Sequence, residues 1–287
     1  MVIDAFDFHW LTGILEGEGT FLAGPPSNPG IPIVRVSMTD RDIVERVARL
    51  FDRAVVTLRR RREHHKTPFV TTIKGAPAVE LMIAADRFMG VKRRAEIQRA
   101  ILSRHDRRSH RSRRGSSINP AHQQSEILSP QHACDGTCDV SWLAGLLEGE
   151  GTFSTVRTHG RAYPVLKVSM CSEDIVSRAS RLIGAPSVTV QQPEHEAWSV
   201  VYAAAISGSD GAHWMRRLRD HMGRRRTEAI DAALAAYHPI RLVDPPGSCT
   251  APGCHEPHRG RGLCHKHYMM WSRDRAKGRV ARIAPLR

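Results

Sequence analysis

Apolar positions along this chain follow helix and strand periods in an order that repeats once. Leu11 and Leu15 stand four apart, Gly13 and Gly17 keep the same spacing, and the stretch LTGILEGEG over 11–19 predicts a helix ending on Glu18. A short strand is expected at 20–23, followed by a Pro/Gly loop. Alternation over 33–38 predicts a longer strand, with Val34, Val36 and Met38 on one face and Ile33, Arg35 and Ser37 on the other. Thr39 or Asp40 then opens a helix whose apolar face carries Ile43, Val47 and Leu50. Segments 54–62 and 68–74 read as a strand pair closed by Gly75, with Arg59 and Arg61 on the face of Thr57. Two helices, about 78–88 and 92–102, complete the series.

The same order returns 132 residues later. LAGLLEGEG fills 143–151, Trp142 takes the place of Trp10, and Thr-Phe follows both copies. Val168-Ser169-Met170 repeats Val36-Ser37-Met38, and Asp174-Ile175-Val176 repeats Asp42-Ile43-Val44. Lys167 stands where Arg35 does, and Thr189 and Gln191 match Thr57 and Arg59. Met89-Gly90 recurs at Met222-Gly223, one inserted residue later. Register held over so many segments means duplication. The chain therefore divides into a first repeat at 1–103, a basic and polar linker at 104–138, a second repeat at 139–240 and a tail at 241–287.

The doubled nine-residue stretch has a physical reading. Glycine is a poor helix former, so two within one turn need a packing reason, and small residues four apart let backbones approach closely. The two helices are expected to pack on each other through Gly13, Gly17, Gly145 and Gly149. Each then ends on a carboxylate, Glu18 or Glu150, where the helix dipole is already negative. Two such ends side by side call for divalent cations, and Mg²⁺ favours one or two carboxylates with water and phosphate oxygens.

Those two motifs, with their matched downstream segments, resemble the signature of the LAGLIDADG homing endonucleases in their monomeric, two-repeat form. The resemblance covers about 7–238 apart from the linker. It implies an α+β fold of two pseudo-symmetric αββαββα repeats whose curved sheets form a saddle on DNA. It implies site-specific, double-strand DNA cleavage with Mg²⁺ or Mn²⁺, leaving short 3′ overhangs, by a monomer acting as a pseudo-dimer. Glu18 and Glu150 occupy the metal-binding catalytic position, as Glu where the signature has Asp. Glu16 and Glu148 take supporting roles. One basic residue per half is expected near the cleaved phosphate, matched by Lys92 and by Arg225 in the second repeat. Arg35, Arg59, Arg61, Lys74, Arg157, Lys167 and Gln191 are the candidates for DNA contact from strand faces. A catalytically silent DNA- or RNA-binding protein on the same fold, such as an intron maturase or regulator, is the alternative.

Charge sharpens the partner. The 287 residues carry a formal net charge of +14 and a pI of about 10.3, which asks for a polyanion. Arginine makes up 37 of the 43 basic residues, and its fork suits phosphate and guanine. The excess is uneven: the tail holds +7 and the linker +3. No apolar run approaches a membrane span, and a cytoplasmic protein of bacterial or phage origin is expected.

Six cysteines suit a reducing compartment and metal. Cys134 and Cys138 in the linker lack a second ligand pair and are expected as free thiols. In the tail, Cys249, Cys254, Cys264 and His267 have the composition of a tetrahedral zinc site, with His265 and His255 as rivals for the fourth place. The wording around 261–268 resembles small zinc-binding modules attached to phage and bacterial nucleases. A segment so poor in large apolar residues needs such a staple to fold.

Overall fold

The computed structural model describes residues 3–24, 31–60, 63–112, 137–158, 160–193, 195, 197–238, 246–281, 283 and 285–286. The chain forms two compact units, Met1–Tyr237 and His238–Arg287.

In the larger unit, the first half runs α1 (Ala5–Glu18), β1 (Gly19–Leu22), β2 (Ile33–Met38), α2 (Arg41–Phe51), β3 (Val56–Thr57), β4 (Phe69–Lys74), α3 (Ala76–Ala85) and α4 (Val91–Ser112). The second half repeats it as α5 (Thr137–Glu150), β5 (Gly151–Thr158), β6 (Arg161–Met170), α6 (Glu173–Ile183), β7 (Val188–Gln191), β8 (Val201–Ser207), α7 (Gly208–Leu218) and α8 (Arg224–Ala235). Each half contributes one antiparallel four-stranded sheet, ordered β1-β2-β4-β3 and β5-β6-β8-β7. This is the α+β, two-repeat architecture that the sequence pattern implies.

α1 and α5 pack against each other along their length at the centre of this unit. Both are buried around their whole circumference in their middle turns, as a helix enclosed by its own protein is. Trp10, Leu11, Ile14 and Trp142, Leu143, Leu146 are fully buried. A Cβ on Gly13 would meet the Trp142 carbonyl oxygen and lie 2.7 Å from the Leu146 nitrogen. A Cβ on Gly145 would meet the Trp10 carbonyl and lie 2.9 Å from the Ile14 nitrogen. The two backbones touch there, and only glycine leaves the room.

Arginines from α2 and α6 brace the same helices. Arg46 lies 3.8 Å from the centre of the Trp10 ring, pairs with Asp7 at 2.8 Å and donates to the His221 carbonyl of the other half at 3.3 Å. Its counterpart Arg178 lies 3.7 Å from the Trp142 ring centre, pairs with Asp139 at 3.4 Å and donates to the Phe88 carbonyl at 3.2 Å.

The halves also cap each other's helices. The Val91 amide that opens α4 donates to Asp174 of α6 at 2.8 Å, and the Arg224 amide that opens α8 donates to Asp42 of α2, also at 2.8 Å. Each of these caps satisfies a helix-end donor from the opposite half. The glycines just before those helices are obliged by the contact: a Cβ on Gly90 would sit 2.8 Å from Ile175, and one on Gly223 2.9 Å from Asp42.

Several boundaries differ from the sequence expectation. The strand expected over 54–62 contracts to Val56–Thr57, followed by one further bond from the Leu58 amide to the Pro68 carbonyl. Its residues are exposed, so no core holds a longer ladder in place. Ile33 is buried like Val34, because the end of β2 is covered on both faces. Cys138 is disulfide-bonded and buried in the first turn of α5, which corrects the expectation of a free thiol there; Cys134 lies outside the described residues. Most of the linker is likewise outside them.

The smaller unit is built around Cys249, Ala251, Leu263 and Cys264, with Tyr268, Trp271 and Ile283 packed against them. Its one helix among the described residues is α9 (His265–Ala276). Two isolated bridges, Ser248 with Pro257 and Gly260 with Leu263, complete its regular structure.

Candidate active site and DNA-facing surface

The last turns of α1 and α5 bring Glu18 and Glu150 to one place. Glu18 lies across Gly149, its Cγ 2.8 Å from where a Cβ would be, and Glu150 lies across Gly17 at 3.2 Å. The second glycine of each motif therefore makes room for the other half's carboxylate. Burial raises the pKa of both groups, and Glu18 adds repulsion on Glu150. A cluster held this way favours a divalent cation over two bare charges.

Glu16 and Glu148, expected in supporting roles, lie one half-turn before the paired acids and point away from them. Both are 1% exposed. Glu16 accepts from the Gly90 amide at 2.7 Å, and Glu148 accepts from the Gly223 amide. They thereby anchor the starts of α4 and α8 beneath the cluster. Burial pushes the Glu148 carboxyl up to about 7, against the pull of the Gly223 amide. The folded chain thus keeps a proton that the unfolded chain releases near its ordinary value of 4.5. This contribution to stability is complete below that ordinary value and is lost as pH rises through 7. The metal-free protein is expected to melt at higher temperature as pH falls from about 8 to about 5.5, with a flatter dependence in Glu148→Gln. Thermal melts across that range check it; an unchanged slope in the variant would remove Glu148 as the cause.

Two arginines not singled out by sequence close the helix ends. Arg93 donates to the Glu16 and Gly17 carbonyls, each at 3.0 Å. Arg226 donates to the Glu148 carbonyl at 2.9 Å and the Gly149 carbonyl at 3.1 Å. They satisfy carbonyls left open at the helix C-termini and place positive charge beside Glu18 and Glu150. Their signal was identity: position 93 and its repeat partner 226 are both Arg, whereas Lys92 and Arg225 differ.

Lys92 and Arg225 stand in two matched cavities beside the glutamates. One, of about 390 Å³, is lined by Glu150, Lys92, Arg93 and 169–172. The other, of about 240 Å³, is lined by Glu18, Arg225, Pro68 and 37–40. Each pairs a motif glutamate with a basic side chain from the opposite half.

The sheets present the reading candidates as follows. Arg35 is exposed on β2 in a cross-strand row with Thr20 and Thr72. Lys167 holds the same place on β6, between Thr152 and Ala205. Lys74 lies opposite Ile33, one row further along the face of Arg35. Gln191 is exposed on β7 and shares Lys167's face through Thr189, Ala203 and Ser169. Arg157 is in phase with the buried Phe153, four residues before it, so it falls on the face opposite Lys167, at the free end of the β5–β6 hairpin. Arg59 is exposed beyond the end of β3, and Arg61 lies outside the described residues.

In the smaller unit, Cys249, Cys254, Cys264 and His267 bring their ligand atoms within 4.8 Å of one another. His267 Nδ1 is 3.3 Å from Cys249 Sγ and 3.4 Å from Cys264 Sγ, while Cys254 and Cys264 Sγ atoms are 3.9 Å apart. This Cys₃His cluster could bind a metal ion. Burial opposes ionisation of Cys249, but the backbone donors of Cys264 and Ala251 and the His267 ring outweigh it, giving a thiol pKa of about 6. His267, one turn beyond Cys264, takes the place for which His265 and His255 were rivals; both of those are exposed.

No protein-family model matches the sequence, and no curated protein does. Solved structures do match. The LAGLIDADG homing endonuclease I-LtrWI, bound to its target DNA, aligns at 12% identity over 80% of this chain and 89% of its own, with a TM-score of 0.51. The LAGLIDADG meganuclease I-AabMI, bound to uncleaved DNA, aligns at 12% identity over 81% and 90%, again at 0.51. Meganuclease I-SmaMI, bound to uncleaveable DNA, gives 12%, 79%, 89% and 0.51. No helix among the described residues is long and apolar enough to cross a membrane. With paired motif helices, two matched four-stranded sheets and a carboxylate at each helix end, this chain has the two-repeat fold of the LAGLIDADG homing endonucleases.

Proposed function

We propose that the chain is a site-specific, double-strand DNA endonuclease that works as a monomer with divalent metal, Mg²⁺ or Mn²⁺, and leaves short 3′ overhangs. The observation that carries this reading is the meeting of Glu18 and Glu150 at the paired helix ends, each in a cavity with a basic side chain of the other half. The donor set fits hard divalent cations, which bind carboxylate, water and phosphate oxygen. Such a cation, when bound, supplies Lewis acidity and lowers the pKa of bound water.

The chain's own residues do the rest. Glu18 and Glu150 would each hold a cation in its own cavity, and Lys92 and Arg225 would face the negative charge that grows on the phosphate there. Arg93 and Arg226 fix the helix ends, and Glu16 and Glu148 fix the starts of α4 and α8. Arg35, Lys74, Lys167 and Gln191 lie on the outer sheet faces, where they can reach base edges and phosphates. Arg59 extends that contact beyond the end of β3 and Arg157 at the tip of the β5–β6 hairpin, while Arg61 is a candidate on its sequence position alone.

Cleavage of a randomised duplex library with Mg²⁺, against a Ca²⁺ control, tests the reading. Recovery of one long cut sequence supports it. Binding without cutting favours the silent DNA- or RNA-binding alternative.

The tail cluster has the donor set of structural Zn²⁺, whose tetrahedral edges match thiolate and imidazole spacings near those found. One equivalent of zinc is expected in the purified protein. Cys264→Ser should lose it and melt the small unit alone. With +7 of net charge in the tail, a chain ending at position 243 should bind DNA with a shallower salt dependence, by about 0.9 of slope for each phosphate that the tail had neutralised. An unchanged slope would mean that the tail does not touch DNA.

A further inference from the structure

The two cavities occupy matching positions but differ in chemistry. Beside Glu150, the wall carries Lys92, Cys171, Ser172 and the enclosed Glu16, and no ion pair holds the Lys92 ammonium among the described residues. Beside Glu18, the corresponding positions are Arg225, Thr39 and Asp40. Asp40 is the N-cap residue of α2, where an Asp ordinarily accepts from the amides of the first turn. It makes no such bond. Both its oxygens go instead to Arg225, at 2.9 and 2.8 Å from Nε and 2.6 Å from Nη2.

That pair has a direct consequence for a phosphate arriving beside Glu18. Asp40 takes the Nε/Nη2 edge of the guanidinium, so that edge must be released before it can grip a phosphate, and until then only the Nη1 side is open. The Asp40 side chain is only 12% exposed, whereas that of Arg225 is 47% exposed, so the carboxylate is the anchored partner. Its negative charge also lines the cavity that the phosphate would enter. Lys92 has no carboxylate partner among the described residues; the acid that lines its cavity besides Glu150 is Glu16, which is fully enclosed and bound to the Gly90 amide.

Resting on the nuclease reading above, we propose that Asp40 is a positioning residue that holds Arg225 back, so that the strand at Glu150 is cut before the strand at Glu18. The protein would nick first and complete the break second. The order is written into one position, Asp40 against Ser172, rather than into the metal-holding acids.

The test is a single-turnover time course with Mg²⁺ on a duplex recovered from the randomised library, carrying a different dye at each 5′ end. Nicked duplex should accumulate. Glu150→Gln should remove the fast product and Glu18→Gln the slow one, which assigns each strand to its cavity. Asp40→Ser should speed the slow strand by about fivefold and leave the fast strand alone. A loss of fold would instead slow both strands together. Ser172→Asp supplies the reverse arm: it should slow the fast strand, and this arm decides the matter if Asp40→Ser melts early. Equal strand rates, or a slow strand that answers to Glu150, would overturn the proposal while leaving the nuclease reading intact. A wild-type protein that cuts no duplex would overturn both.

Discussion

Gly13→Val and Gly145→Val are each expected to leave the protein unfolded or melting far below the parent. The reason is backbone against backbone. A Cβ at either position would run into the carbonyl of Trp142 or Trp10 and crowd an amide nitrogen of the facing helix. Ordinary core overpacking costs about 1–3 kcal/mol because a neighbouring side chain can turn aside. No such relief exists here, so the cost should sit at the top of that range or above it. Gly13→Ala should already be damaging, since its one extra carbon makes the collision. Gly247→Ala, with nothing within 4 Å, is the matched control and should melt like the parent. If both valine variants melt normally, the two motif helices do not cross where the structure places them.

The second large effect concerns chemistry without stability. Glu18→Gln combined with Glu150→Gln should lower cleavage by at least about 10²-fold, with DNA binding largely kept. Each single variant should abolish double-strand breaks. The fold should survive, because burial disfavours the charged form of both residues and an amide removes that burden. Melting temperature should hold or rise. Cleavage at full rate by the double variant would sink the assignment of these acids.

Much of the architecture was legible because duplication made one pattern check another. The glycine spacing of 11–19 and 143–151 indicated a helix contact, and the contact is there. Asp42 and Asp174 were visible only as a register match; their work, capping helices of the opposite half, depends on distances that no local pattern encodes. Lys92 and Arg225 were placed by counting from Phe-Met-Gly and from its repeat. That count finds a helix start but not the face turned toward α1, which is why Arg93 and Arg226 were missed. Neighbouring residues on a helix point about 100° apart. His267 over His265 was decidable by the same rule, since only the residue three beyond Cys264 returns to its side of the helix. The strand over 54–62 was overcalled because alternating polarity without a buried face gives no ladder to hold.

The exchanged caps, Asp174 on the Val91 amide and Asp42 on the Arg224 amide, bear on how such a chain can change over time. A self-complementary contact between identical copies obliges every residue to serve on both sides of the axis, so a substitution takes effect twice. Joining the copies on one chain lifts that obligation while the shared caps keep them from parting. Each half is then free to mutate alone. Asp40 beside Ser172, Lys92 beside Arg225 and Arg35 beside Lys167 are such unilateral changes. A surface that can drift on one side only is no longer confined to palindromes.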